Sequence, residues 1–294
     1  MTDAPPQLID RAAWLARRAK GRPAPGDDFL HLAALESVED RLSLVARRFE
    51  HAALVWPGAA IWGRLAAHPS IDALEMVEAA EDETLPLAAE SLDLAVLGLT
   101  LHWANDPVGV LIQLRRALKP DGLLLAATLG GETLRELRAA LAEAETMEEG
   151  GLSPRVSPMG EVRALGALLQ RAGFAMPVAD AERIETTYAD AFALMRDLRA
   201  MGESNALADR RRRATRRATL ARAAAVYADA FPAEPEAGAE ARPGRVRATF
   251  EIIMLTGWAP GPNQPVPKRP GSASARLADA LGVPELKAGE KAGR

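Results

Sequence analysis

Four stretches of this 294-residue chain carry side chains able to do chemistry. The first is "ALVWPGAAIWGRLA", residues 53–66, an apolar run that turns into a second apolar segment through Trp56-Pro57-Gly58. A strand-to-helix turn of this kind holds a nucleotide-type ligand when it is rich in glycine, because a Cβ blocks backbone approach and the turn needs positive φ. The second is the acidic run over 72–83, with Glu75, Glu78, Glu81 and Asp82, which suits either ligand hydroxyls or a solvated loop. The third is Leu101-His102-Trp103-Ala104-Asn105-Asp106. His102 there can act as an acid or base or orient a substrate, and Trp103 can floor a pocket or pack under the next helix. Asn105 and Asp106 are the types that cap a helix. The fourth is Gly202-Glu203-Ser204-Asn205, which reads equally as a helix stop followed by an N-cap.

Two further groups are charged. Arg155 sits in the polar stretch "GGLSPRVSP" and is available for an anion or for solvent. Arg210–213, Arg216 and Arg217 form a basic run on a predicted helix, attractive to an acidic partner or anionic lipid, or simply solvated. His31, His51, His68 and His102 are scattered and no His-x-Asp pair exists, so the two-histidine, one-carboxylate arrangement has no sequence support and no protein-ligated metal is expected.

The elements that position these residues follow from periodicity. Helices are predicted at 7–22 and, after an N-cap at Asp27 or Asp28, over the amphipathic "FLHLAALESVEDRLSLVARRF". A short strand at 52–56, a helix to about 67 and a strand at 72–77 come next. "SLDLAVLGLTL" (91–101) is a buried-type strand, Asn105-Asp106-Pro107 starts a helix that stops at Pro120-Asp121-Gly122, and "LLLAATL" resumes as a strand. Strand, crossover helix and strand make the βαβ unit of a parallel sheet covered on both faces. Helices at 131–147 and 158–172, a strand near 175–181, helices at 189–201 and 206–230, and a long strand at 245–258 complete the pattern. A Pro-rich tail with one short helix near 275–281 is predicted last.

Hydrophobic residues make up 48% and charged residues 26%, the balance of a globular α/β protein. No apolar run approaches the ~20 residues that span a bilayer, and the first residues lack an apolar signal core, so a cytoplasmic location is expected. With no cysteine, disulfides, thiolate metal sites and thiol nucleophiles are excluded. A net charge of −4 argues against general nucleic-acid binding.

The run "LPLAAESLDLAVLGLTLHWANDPVGVLIQLRRALKPDGLLLAATL" resembles the second half of the class I S-adenosylmethionine (SAM)-dependent methyltransferase fold, covering its strands 4 and 5. "GGETLRELRAALAEAETMEEGGLSPRVSPM", "LLQRAGF", "LMRDLRAMGESNAL", "AAAVYADAF" and "ATFEIIMLTGW" resemble one subfamily of it. That subfamily includes a mitochondrial complex I assembly factor described as an arginine hydroxylase, and the malonyl-acyl-carrier-protein methyltransferases are its cousins. The resemblance is good over 85–258.

It implies a Rossmann-like, mostly parallel sheet over 49–258, with a helical insert at about 189–230, an N-terminal helical extension over 1–48 and a tail over 259–294. SAM is the implied cofactor. Aligned on the family's motif, its acidic residue falls on Leu54 and its three glycines on Trp56, Gly58 and Ala60, so Gly58 is the one glycine retained. The resemblance assigns Glu75 or Glu78 to the cofactor's ribose, Glu81 and Asp82 to its adenine end, and Leu99 to the same site. His102 and Trp103 fall at the catalytic strand end, while Arg155, Glu203, Ser204 and Asn205 fall on the substrate cover. Only a short segment separates the 72–77 strand from "LPL", too short for the usual helix and third strand, so the sheet is expected to lack one strand. The partner implied is a respiratory complex I subunit, with the chain peripheral to the membrane through it. An acyl carrier protein is the alternative partner, its phosphopantetheine drawn to the basic run. A third alternative is a non-catalytic assembly protein that keeps the fold and partner surface.

Overall fold

The computed structural model describes residues 7–21, 28–56, 60–233, 244–262, 264–265, 279 and 282. Residues 1–261 form one compact unit and 262–294 another. The predicted helix near 275–281 lies almost wholly outside the described residues.

Among the described residues six strands form one sheet in the order β2-β1-β3-β4-β6-β5. The strands are β1 (Ala52–Val55), β2 (Leu74–Val77), β3 (Leu92–Leu97), β4 (Leu118–Leu129), β5 (Ala175–Tyr188) and β6 (Val246–Trp258). The first four run parallel, whereas β6 is antiparallel to both β4 and β5. Every residue of β1 and β3 is buried, as strands of a sheet covered on both faces require, and the one charged residue among them, Asp93, accepts the Glu50 and His51 N–H groups. One face carries α2 (Phe29–Leu44), α4 (Arg135–Glu149), α6 (Ala191–Ala200) and α7 (Arg217–Ala230), whose apolar sides pack with Leu54, Leu94, Leu125 and Phe250. On the other, α3 (Pro107–Ala117) and α5 (Val162–Arg171) bury Leu111, Leu114 and Leu169 against Val55, Leu97 and Leu124. The remaining helix, α1 (Arg11–Arg18), lies at the carboxyl end of the parallel strands, with Trp14 packed on Trp56.

Residues 78–91 cross from β2 to β3 without forming a helix or strand, so the missing strand follows from the shortness of this segment. Three other elements differ from expectation. The segment after β1 is a 3₁₀ run over Ala60–Ala67 rather than an α-helix. β5 extends to Tyr188 because β6 pairs with it along its whole length, from Ala175↔Trp258 to Tyr188↔Val246. The helix expected from 206 begins only at Arg217. Ion pairs organise the residues before it: Arg210 reaches Asp10 at 2.9 Å, and Arg211 pairs with Glu149 and, at 3.6 Å, with Glu145. Arg210 and Arg211 are therefore used inside the molecule, while Arg212, Arg213, Arg216 and Arg217 stay exposed. Among the described residues no helix is long and apolar enough to cross a membrane.

Two local features support the edge where ligands bind in open sheets. Asp106 accepts the Gly109 N–H at 2.8 Å with Pro107 in the first turn, fixing where α3 starts. Asp106→Ala should cost about 1 kcal/mol of stability by urea unfolding, as lost N-caps do. In α2, buried His31 accepts the Trp62 indole N–H on Nδ1 at 3.1 Å, and burial pushes its pKa down to about 4 from an ordinary 6.5. The unfolded chain binds the extra proton between those values, so stability should fall as pH drops from 6.5 to about 4. His31→Asn, which keeps the acceptor, should flatten that limb in pH-dependent thermal melts.

Candidate functional site

At the end of β1 the chain enters a left-handed residue, Trp56 (φ 49°), whose ring is buried. A tryptophan there carries the strain that a glycine avoids, and packing must hold it. Thr100 donates its hydroxyl to the Trp56 carbonyl at 3.0 Å. The Arg11 guanidinium lies between two indoles, 4.4 Å from the ring centroids of both Trp14 and Trp56. Arg11 is only 5% exposed, and none of its three side-chain nitrogens has a hydrogen-bond partner. Its nearest anion is Glu83, at 3.8 Å. Both Glu83 oxygens are already engaged, accepting the backbone N–H groups of Asn105 (2.7 Å) and Asp106 (3.0 Å). Burial lowers the Arg11 pKa against the pull of Glu83.

The same corner anchors the N-terminal segment. Asn105 accepts the Ile9 N–H (2.8 Å) and donates to the Ile9 carbonyl (3.0 Å), so it fastens the chain entering α1 rather than capping α3. Ile9 also bridges to Leu207, and Ile9, Trp14, Trp103, Ala206 and Leu207 form one apolar cluster. α1 thus spans two places, the turn after β1 and the cover formed by residues 201–207.

Beneath that cover is a cavity of about 270 Å³, lined by leucines of α4 and by Trp103, Arg155, Ser157, Glu203, Ser204 and Asn205, among others. Glu203 is the central polar group. Its Oε2 accepts from Trp103 Nε1 at 3.0 Å and from His102 Nε2 at 3.2 Å. His102 Nδ1 faces the Leu129 N–H at 3.4 Å, which leaves the imidazole proton on Nε2, pointed at Glu203. Asn205 donates to the Pro154 carbonyl at 2.8 Å and accepts the Leu207 N–H at 3.0 Å, joining the two cover segments. Arg155 is engaged by Glu145 (2.7 Å) and Thr215 (2.7 Å). Burial alone raises the Glu145 pKa, but hydrogen bonds from Arg155 and Ser153 outweigh it and hold the carboxyl at about 2.

The substrate-side residues expected from sequence therefore come together: Trp103, Arg155, Glu203, Ser204 and Asn205 line one cavity, and His102 touches it through Glu203. The cofactor-side residues do not. Gly58 lies outside the described residues. Glu75 sits mid-strand in β2, beside Ala53, and lines a surface hollow with His51 and Ser91, away from the carboxyl edge. Leu99, left-handed at φ 56°, buries its side chain in the core. Glu81 is exposed, and Asp82 accepts the Thr84 N–H within its own turn, a bond that lowers its pKa. Glu78 alone stands just past the end of β2, where it pairs with Arg18 at 3.7 Å. Arg11, Trp14 and Glu83 belong to no motif. The one signal for them is an arginine three residues before a tryptophan on one short helix, which by spacing shares a face.

Four parallel strands, an antiparallel β6 inserted between β4 and β5, and a cavity at the carboxyl edge define the class I methyltransferase fold. The model of the family described as "Methyltransferase domain" matches residues 57–126. The mitochondrial arginine-hydroxylase NDUFAF5 of Danio rerio is 40% identical over 207 residues, 70% of this chain and 62% of that protein. The malonyl-[acyl-carrier protein] O-methyltransferase of Laribacter hongkongensis is 40% identical over 181 residues, 62% of this chain and 56% of that protein. Among solved structures, the YcgJ protein of Bacillus subtilis is 14% identical with a TM-score of 0.48, covering 78% of this chain and 98% of that one. The chain spans less than two thirds of the length of these two curated relatives. By these similarities and its strand order it has the class I methyltransferase fold.

The turn that would meet the family's cofactor is described only in part, residues 57–59 lying outside the described residues. Leu54 is buried in the core, so it offers no acceptor at the strand end. The Arg11–Trp14–Trp56 stack lies at the first strand's carboxyl end, where the family's turn holds SAM. Among the described residues no three His, Asp or Glu side chains gather as metal ligands.

The stack itself is testable. Each indole face adds about 2 kcal/mol to a desolvated cation, against several kcal/mol for burying it with its donors open. Arg11→Met keeps the volume and strands no partner, since Glu83 stays satisfied by Asn105 and Asp106. Its stability should stay within about 1 kcal/mol of wild type, whereas Trp14→Ala should lose about 3 kcal/mol or more, by chemical denaturation.

Proposed function

We propose that this chain is a methyltransferase-fold assembly protein that grips an arginine-bearing segment of a respiratory complex I subunit without transferring a methyl group. The observation that carries this is the contrast between its two corners. The turn after β1 is packed with Trp56, Trp14 and Arg11, while the cavity under the 201–207 cover is built, open and lined by polar groups of fixed orientation. The arginine-hydroxylase relatives supply the class of partner. An acyl carrier protein fits less well at the cavity: Arg155, the arginine placed to meet a malonyl carboxylate, is neutralised by Glu145, and of the basic run Arg210 and Arg211 are paired with Asp10, Glu145 and Glu149.

A SAM-dependent enzyme is the second reading, favoured by the open donors of Arg11 and by Glu78 at the end of β2. It requires the Trp56 ring to leave its buried place. Titration calorimetry separates the two. A protein whose corner is filled should show no saturable heat and no thermal shift with millimolar SAM, because ligand stabilisation scales with occupancy. Saturable binding to the wild-type chain would overturn the non-catalytic proposal.

A further inference from the structure

Glu203 has one oxygen to spare. Oε2 takes both donors, Trp103 Nε1 and His102 Nε2, and no hydrogen bond reaches Oε1. The side chain is 11% exposed and lines the cavity. Two neutral donors on one oxygen fix the carboxylate without neutralising it, which leaves a directed acceptor in a hollow walled by leucines and methionines. A second polar group there is also unpartnered: Ser157, 6% exposed, has no partner for its hydroxyl. Of the charges near the cavity, the partly buried Arg18 guanidinium of α1 acts electrostatically on Glu203, while no hydrogen bond reaches its Oε1 among the described residues. Arg155 is paired with Glu145 and Thr215. Arg199 is exposed on α6, where solvent and salt screen it. His31, across the core, is held neutral.

We infer that Glu203 is the specificity-determining residue of this cavity: its free Oε1 receives the guanidinium of the partner's arginine, with Ser157 Oγ as a second acceptor. The arginine's methylenes lie along Leu137, Leu141 and Leu198, apolar surface that suits a long-stemmed cation and nothing shorter. A carboxylate with a planar fork of donors in a low-dielectric hollow is the stronger kind of hydrogen bond. The same carboxylate repels a malonyl group, so one residue both admits arginine and excludes an acidic thioester. This rests on the partner-binding proposal above and adds which residue reads the side chain's charge.

The test uses the full chain, uniformly ¹⁵N-labelled, and follows the Trp103 indole N–H, identified by its loss in Trp103→Phe. The probes are Nα-acetyl-arginine methylamide, its citrulline counterpart of nearly equal shape without charge, and malonyl-pantetheine. The arginine probe should shift the Trp103 signal saturably, with the citrulline probe weaker by about tenfold or more and malonyl-pantetheine without effect. Glu203→Gln, which keeps an acceptor for His102 and Trp103, should remove the preference for arginine over citrulline. Ser157→Ala, which removes only an unpartnered hydroxyl, should keep the fold and weaken arginine several-fold. Equal binding of arginine and citrulline overturns the charge assignment while leaving a side-chain cavity in place. No saturable shift with arginine overturns the inference altogether. Neither result bears on the SAM titration, so the two proposals fail separately.

Discussion

Everything at the carboxyl edge depends on one buried cation. Arg11 enters a sheet corner from a helix outside the sheet, and its flat guanidinium lies against both members of a tilted tryptophan pair. The arrangement holds Trp56 in a left-handed conformation that its side chain disfavours, and Trp56 in turn offers its carbonyl to Thr100. Glu83 balances the charge from below while tying down the first N–H groups of the loop that leads into α3. The side chain at position 11 is the common neighbour of the turn, the loop and α1, by its volume as much as by its charge.

From that corner a continuous set of contacts runs to the cavity. Trp56 binds Thr100, two residues before His102; His102 and Trp103 both bind Glu203; Glu203 belongs to the segment whose Leu207 bridges back to Ile9, next to α1. The circuit closes on itself. A displacement of α1 therefore moves both the turn after β1 and the cover over the cavity, because Trp14 within α1 packs on Trp56 while Ile9, just before the helix, bridges to Leu207. This is a matter of shared packing, and it needs no long-range signal.

Much of this was legible in the residues themselves. Apolar runs at 94–97 and 123–127, with Asp106-Pro107 between, specify two parallel strands and their crossover helix, because few other patterns bury so much and cap so cleanly. The absent third strand was legible too, from the number of residues available. Ion pairs between distant segments were not: nothing in "RRRRATRR" reveals that Asp10, Glu145 and Glu149 hold it away from the helix that local propensity favours. The extra length of β5 was hidden for the same reason, since an edge strand reaches as far as its neighbour offers backbone partners. On the site, the family resemblance grouped Trp103, Arg155, Glu203, Ser204 and Asn205, which line one cavity, whereas Glu75 lies toward the opposite end of the sheet, because a shift of a few positions along a strand moves a side chain from one end to the other.

The two corners also differ in how they are built, and that difference explains how one can change while the other persists. A cofactor turn is made by a few consecutive residues whose backbone must approach the ligand; a single indole in place of glycine closes it. The cavity is made by α4, α6, α7, β6 and the loop at 153–159 together, and its leucines also belong to the main core. Substitution there costs stability of the whole fold, so the walls are held by folding itself. Glu203, Ser157 and Asn205 are not core residues, and packing alone gives no reason for a carboxylate with an open oxygen inside a leucine-lined hollow. The open oxygen is the group that an entering cationic side chain would meet, which is why the polar groups, and not the walls, carry the case for a partner.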